Sequence, residues 1–140
     1  MRRVFLDTCG LIALVNKDDQ WHSEAKRAWD KLVKSPAVLV TTSLVLVEIG
    51  DGLSRVDYCP LALQICDRLR ISERVGVLQS DKALEDRAWT LFRTRSDKDW
   101  GMTDCVSMTV MQEQGIREVF TSDHHFEQAG FEILLLRENS

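Results

Sequence analysis

Four acidic residues stand out by where they fall in the chain. Asp7 closes the apolar run Val4, Phe5, Leu6, and Asp123 follows Val119 to Thr121 in the same way. Asp104 sits one residue past Thr103, where a helix is expected to begin, and Glu48 is the one charge within Leu44 to Ile49. Each has an ordinary explanation taken alone. An aspartate in a first helical turn complements the helix dipole, and aspartates after strands are common turn residues. Glu48 is harder to explain away, because a carboxylate buried in an apolar helix is costly unless it is paired or metal-bound. Four carboxylates converging on one place would repel one another and resist ionisation unless a cation neutralised them. Oxygen-only ligation of that kind suits Mg²⁺ or Mn²⁺ rather than zinc. Such ions lower the pKa of bound water and relieve charge on phosphoryl oxygens, which is what hydrolysis of a phosphodiester requires.

Convergence depends on the elements. Short β-rich runs alternate with segments of helical period, the pattern of an α/β fold with helices on both faces of a parallel sheet. Strands are expected at Val4 to Leu6, Val38 to Thr41, Val75 to Leu78, Val119 to Thr121 and Ile133 to Leu136. Ala25, Ala28, Trp29, Leu32 and Val33 follow helical spacing before Pro36. Further helices are expected from Leu44 to Leu53 with Ser43 as cap, from Pro60 to Leu69, after Ser80 through Phe92, and from Thr103 to near Gly115. Arg95 to Gly101 reads as a loop. In a parallel sheet the carboxyl ends of all strands share one edge, and the helix after each strand starts there, so Asp7, Glu48, Asp104 and Asp123 are all directed to that edge.

Composition narrows the class. The chain has 140 residues, enough for one domain spanning 1–140 with its own core, and 44% apolar with 29% charged residues is a globular balance. Eighteen Lys and Arg against 22 Asp and Glu give a net charge of −4, so any nucleic-acid contact must be local rather than a bulk attraction. The apolar run Leu11 to Val15 is too short to cross a membrane, and no secretory leader is read at the start, which makes the expected location cytoplasmic. Cys9, Cys59, Cys66 and Cys105 lack zinc-finger or disulfide spacing and are expected to be buried thiols.

Other residues are weighed against simpler roles. His124 and His125 are candidates for metal ligation or acid catalysis, against a role in anchoring their turn. Asp97 and Asp99 could supplement the acidic set, against being solvated loop charges. His22 is expected to be a surface or capping residue. Arg68, Arg70, Arg74, Arg93, Arg95 and Lys98 are candidate phosphate contacts, against a solvated face. Trp100 could stack on an unpaired base, against a core or dimer role, and Met102, Met108 and Met111 read as packing.

The stretches VFLDTCGLIAL (4–14), TTSLVLVEIGDGL (41–53), WGMTDCVSMTVM (100–111) and VFTSDHHF (119–126) resemble, in order, those of the PIN-domain ribonucleases, and within them toxins of the VapC type. The resemblance implies a three-layer α/β/α domain with a mostly parallel sheet of about five strands. It makes Asp7, Glu48, Asp104 and Asp123 the quartet that holds Mg²⁺ or Mn²⁺, with Thr121 as hydroxyl support. It implies hydrolysis of RNA to 5′-phosphate and 3′-hydroxyl ends, with no covalent intermediate. The partners it brings are an RNA substrate, a cognate antitoxin protein and a second copy of the chain. The region from Val56 to Lys98 matches no strong family pattern.

Rival readings are a structure-specific or DNA-directed nuclease with the same metal site, and a PIN interaction module without turnover. A phospho-acceptor receiver domain needs paired acids after the first strand, an acceptor after the third and a lysine after the fifth. Here Leu6 precedes a single Asp7, Gln79 follows Leu78 and Arg137 follows Leu136.

Overall fold

A computed structural model describes residues 1–95 and 97–137. Its elements are β1 (Arg3–Leu6), α1 (Thr8–Val15), α2 (His22–Lys34), β2 (Val38–Thr42), α3 (Ser43–Gly52), α4 (Cys59–Ile71), β3 (Val75–Leu78), α5 (Lys82–Thr94), α6 (Met102–Gln114), β4 (Glu118–Phe120), α7 (His124–Gln128) and β5 (Glu132–Ile133). The five strands form one sheet in the order β3-β2-β1-β4-β5, every pairing parallel. The central strand β1 buries Val4, Phe5 and Leu6 completely, as a strand covered on both faces must. Helices α1 to α4 pack among themselves, and α5 packs on α6, giving the layered α/β/α arrangement expected from the sequence.

The chain leaves β1 toward β2 and β3, then returns through α5 and α6 to place β4 on the other side of β1. Strand order therefore reverses between β1 and β4. In open α/β sheets a crevice forms outside the carboxyl ends at such a reversal, because the connections diverge to opposite sides. Register sets what meets there: Leu6 pairs with Phe120, so Asp7 and Thr121 come level just beyond the sheet. The Asp7 N–H donates to the Phe120 carbonyl at 3.3 Å, and the Thr41 hydroxyl donates to the Leu6 carbonyl at 2.8 Å.

Several local expectations shift. Thr42, not Ser43, caps α3 by accepting the Val45 N–H, while the Ser43 hydroxyl accepts the Ser80 N–H. Asp81, not Ser80, caps α5 through the Leu84 N–H, and Gly101, not Thr103, precedes α6. In the first two cases neighbouring hydroxyl or carboxylate residues compete for one cap; at α6 the Gly101 N–H is instead taken by the Asp104 carboxylate. The fifth strand is regular only over Glu132 and Ile133, although Leu134 and Leu135 still donate to Val119 and Thr121. The loop expected from Arg95 to Gly101 is irregular or turn at its described positions, Ser96 lying outside them. Helices α1 and α7 were not expected. Cys66 and Cys105 are buried thiols, but Cys9 and Cys59, each near a helix start, are exposed.

Helix α6 is buried along its whole middle, from Cys105 to Met111, which accounts for Met108 and Met111 as packing. Gly115 ends it in the left-handed conformation at φ 67°, where a glycine has no Cβ to clash. The tightest of the glycine positions is elsewhere. A Cβ on Gly10 in α1 would lie 2.2 Å from the Phe120 carbonyl oxygen and 2.8 Å from its carbon, so only glycine lets α1 lie against the end of β4. Gly50 in α3 has open space around it. We expect Gly10→Ala to cost about 3 kcal/mol or more, since the obstruction is backbone. Gly50→Ala should instead stabilise by about 0.5–1 kcal/mol through reduced chain entropy. Paired denaturant melts read both, and equal stability of the two variants would show that the approach of α1 to β4 is not tight.

Candidate active site

Asp7 lies in extended conformation between β1 and α1, with its side chain 3% exposed. The Thr121 hydroxyl donates to Asp7 Oδ2 at 2.7 Å, and the Thr121 Oγ1 accepts the Asp123 N–H at 3.1 Å. Thr121 is itself fully buried, so one hydroxyl joins the side chain after β1 to the backbone after β4. Burial, only partly offset by the Thr121 hydrogen bond and reinforced by the charges of Asp104 and Asp123, raises the Asp7 carboxyl to about 7.

Asp104 sits in the first turn of α6, where its Oδ2 accepts the Gly101 N–H at 3.1 Å. Burial again is the main cause of its rise to about 6. The Gly101 N–H and His125 oppose that rise, and Asp123 and Glu48 add to it. The dipole role expected of this residue is present, yet its carboxyl is held above the usual carboxylate range. Glu48 projects from the second turn of α3 and accepts the Thr8 hydroxyl at 2.7 Å. It is half-buried rather than sunk in the core, because at this position α3 turns its edge to the crevice. Asp123 Oδ1 accepts the His125 N–H at 2.9 Å, capping α7.

These residues line one cavity of about 420 Å³. All four sequence-nominated carboxylates reach it, together with Asp51, Thr8 and His125. His125 Nδ1 lies 3.2 Å from Asp123 and 3.8 Å from Asp104, but it is buried and makes no hydrogen bond. His124 points away and is exposed. Of the two histidines, geometry thus selects the second. Thr8 and Asp51 were not singled out from the sequence. The D-T pair after a strand and the acid three residues past Glu48 were the available signals, since i and i+3 share a helix face.

Other nominated residues lie outside the cavity. Asp97 and Asp99 are exposed. Trp100 is largely buried and donates its indole N–H to Gln128 at 3.1 Å, a packing role. His22 begins α2 with Nδ1 2.8 Å from the Ala13 carbonyl. Arg74 is consumed by the carbonyls of Leu32, Val33, Ser35 and Ala37 around the end of α2. Arg95 stacks over Phe92, and Lys98 pairs with Asp97.

The residues fit a divalent cation. Carboxyls held high by burial and mutual repulsion, beside an unpartnered ring nitrogen, lack only positive charge. Asp104, Asp123 and His125 offer ligand atoms within 4.8 Å of one another, as do Asp7, Cys9 and Asp123.

A PIN-domain family model matches residues 4–132, and the chain belongs to that family. Among solved structures it is similar to VapC20 of Mycobacterium tuberculosis, a sarcin–ricin loop cleaving toxin, at TM-score 0.82 and 30% identity over 91% of this chain and 95% of that one. It is also similar to VapBC2 of Rickettsia felis bound to a DNA fragment from their promoter (TM-score 0.68, 14% identity, 94% of this chain and 96% of that one). FitAcB of Neisseria gonorrhoeae follows at TM-score 0.62 and 15% identity over the same shares, 94% and 96%. At those two lower identities the likeness is one of fold. No curated protein matches the chain.

Two outcomes follow from this electrostatics. A carboxyl with its folded pKa above the unfolded value binds protons more tightly when folded, so stability falls as pH rises from the unfolded toward the folded pKa. With Asp7 at about 7, metal-free protein should lose on the order of 2 kcal/mol between pH 5.5 and 8. Mn²⁺ should restore the melting temperature at pH 8 and do little at pH 5.5. A metal-free melting temperature that climbs with pH would contradict the site electrostatics. Separately, Thr121→Val should weaken Mn²⁺ binding by about 10- to 100-fold, with Thr121→Ser close to wild type. Titration calorimetry measures both, and an unchanged affinity in the valine variant would reduce Thr121 to a packing residue.

Proposed function

We propose that this chain is a divalent-metal-dependent endoribonuclease and the toxin component of a toxin–antitoxin pair. The observation that carries the reading is the meeting of four carboxylates from four separate elements in one cleft at the reversal between β1 and β4. The 30% identity to a sarcin–ricin loop cleaving toxin supports RNA rather than DNA as substrate.

In this reading Asp7, Glu48, Asp104 and Asp123 hold Mg²⁺ or Mn²⁺, with His125 as a further donor. When bound, the cation supplies a more acidic water and Lewis-acid relief of charge on the phosphate. The chain's own groups do the positioning. Thr121 fixes the Asp7 carboxylate through its hydrogen bond, Thr8 fixes Glu48, and the Gly101 N–H fixes Asp104. Fixed ligands need no reorganisation when the phosphate arrives, which is how an active site gains rate from geometry. Asp51 at the rim is placed to hydrogen-bond water near the mouth. The products are RNA ends carrying 5′-phosphate and 3′-hydroxyl.

An apolar groove supports the antitoxin partner. A cavity of about 470 Å³ runs between α1, α2 and α4, lined by Leu14, Val15, Trp29, Val33, Ile65 and Leu69 among others. Its shape and chemistry suit an amphipathic segment that folds on binding. An arginine or lysine of such a partner placed in the acidic cleft would neutralise it in the metal's place.

Asp7→Asn and Asp104→Asn should each lower RNA cleavage by about 100-fold or more, more than the loss typical of residues behind a ligand. Circular dichroism should remain native, and EDTA should silence the wild type. An RNA and a DNA of the same sequence run side by side test the substrate. Full activity in both variants would sink the site, and preferential DNA cleavage would favour the rival nuclease.

A further inference from the structure

A second cavity adjoins the acidic cleft. It has a volume of about 300 Å³ and shares Thr8, Cys9 and Ile12 with the cleft as a common wall, while Asp19, Trp21 and Ser122 line its other side. Ser122 lies between Thr121 and Asp123 in sequence, so the two cavities are neighbours along the same edge of the sheet. The volume suits a single flat ring system and excludes a duplex.

The wall chemistry is selective. Trp21 is partly exposed at the start of α2, and Arg137 lies with its guanidinium carbon 4.3 Å from the centre of the ring. Arg137 does not itself line the cavity. Its guanidinium also donates to the Gln20 side chain at 3.2 Å, so it is tied on two sides and holds the indole in place. The Asp19 Oδ1 accepts the Trp21 N–H at 2.8 Å, which fixes the other end of the same residue. An indole packed under Arg137, on a backbone that Asp19 fixes, loses little freedom when a ligand stacks on it. Asp19 decides what that ligand is. A carboxylate in the wall repels phosphate and attracts N–H donors. The wall therefore favours a flat group that is not anionic and is edged with N–H donors.

We propose that this cavity seats the unpaired nucleobase adjacent to the scissile phosphate, with Trp21 as its stacking platform and Asp19 as acceptor for the base's N–H edge. Guanine fits best, because its Watson–Crick edge carries neighbouring N–H donors. The inference rests on the ribonuclease reading and deepens it. It assigns to Trp21 the stacking that the sequence had suggested for Trp100, now found buried. Arg137 is a positioning residue, acting through the indole.

The test separates this subsite from the nuclease reading. Binding of dye-labelled decaribonucleotides, each with one position in turn made abasic, is followed by anisotropy in the Asp104→Asn background with Mn²⁺ present. Single-turnover cleavage of the same set is measured with otherwise unaltered protein. One abasic position should weaken binding about tenfold, within the range of a single base–aromatic stack. Trp21→Ala should weaken the intact oligonucleotide to a similar degree and abolish the difference between intact and abasic RNA. Trp21→Phe should keep most of it. Asp19→Asn, which retains an acceptor for the Trp21 N–H, should reduce the preference for guanine at that position. This last variant also decides the matter if Trp21→Ala melts. Equal losses on intact and abasic RNA, or no position sensitive to base removal, would overturn the proposal. Cleavage that ignores Trp21 overturns the subsite and leaves the nuclease standing. Base-dependent binding without cleavage does the reverse.

Discussion

The structure depends on a carboxylate with almost no water. Asp7 is fixed by three neighbours that leave it no alternative: β1 ends beneath it, α1 begins above it, and Thr121 holds its side chain from the adjacent strand. A buried carboxylate of this kind raises the energy of the ionised form. The surrounding acids make it worse, since the described residues lining the cleft include one imidazole and no lysine or arginine. The arrangement is tolerable because a hydroxyl and backbone N–H groups bear part of the charge, and because a cation would remove the remainder.

That constraint explains features with no other common cause. Thr121 sits buried where an apolar residue would pack equally well, because only a hydroxyl donates to Asp7 while accepting the Asp123 N–H. Gly10 is required where alanine would serve an isolated helix better, because α1 must lie against Phe120 for β1 and β4 to deliver their acids to the same place. The capping of α6 by Gly101 leaves Asp104 accepting an N–H with one oxygen, and the same carboxylate lines the cleft. Stability is given up locally to preorganise a charged site, the usual exchange at functional centres.

Charge also bears on how an acidic protein meets a polyanion. At a net charge of −4 there is no general attraction to nucleic acid. Most of the arginines nominated for phosphate contact prove to be exposed surface charges or, like Arg74 and Arg95, to hold local structure. In the proposed reading, attraction would come from a cation held in the cleft and from stacking beside it. Under that proposal, a site relying on metal and base contacts rather than a basic surface would favour short unpaired segments over long duplexes.

Much of this was legible in the sequence, and for identifiable reasons. Apolar runs of strand length alternating with helical stripes led to a parallel α/β sheet, and an acid directly after a buried strand has only one edge to occupy. Asp7, Glu48, Asp104 and Asp123 could be named on those grounds, and the order of motifs pointed to the PIN family. The choice among adjacent caps escaped, because Thr42 and Ser43, or Ser80 and Asp81, offer the same local chemistry and differ only in what packs across from them. Helix α1 escaped because its eight residues carry no marked helical stripe, while its place is set by packing against the end of β4. Selecting His125 over His124, setting Trp21 rather than Trp100 beside the cleft, and raising the Asp7 carboxyl to about 7 all lay beyond the sequence. Residue type and order determine which groups arrive at an edge. Which of them face one another, and how much water stays between them, is decided only when distant segments pack, because burial and distance set electrostatic energies and neither is a property of a linear chain.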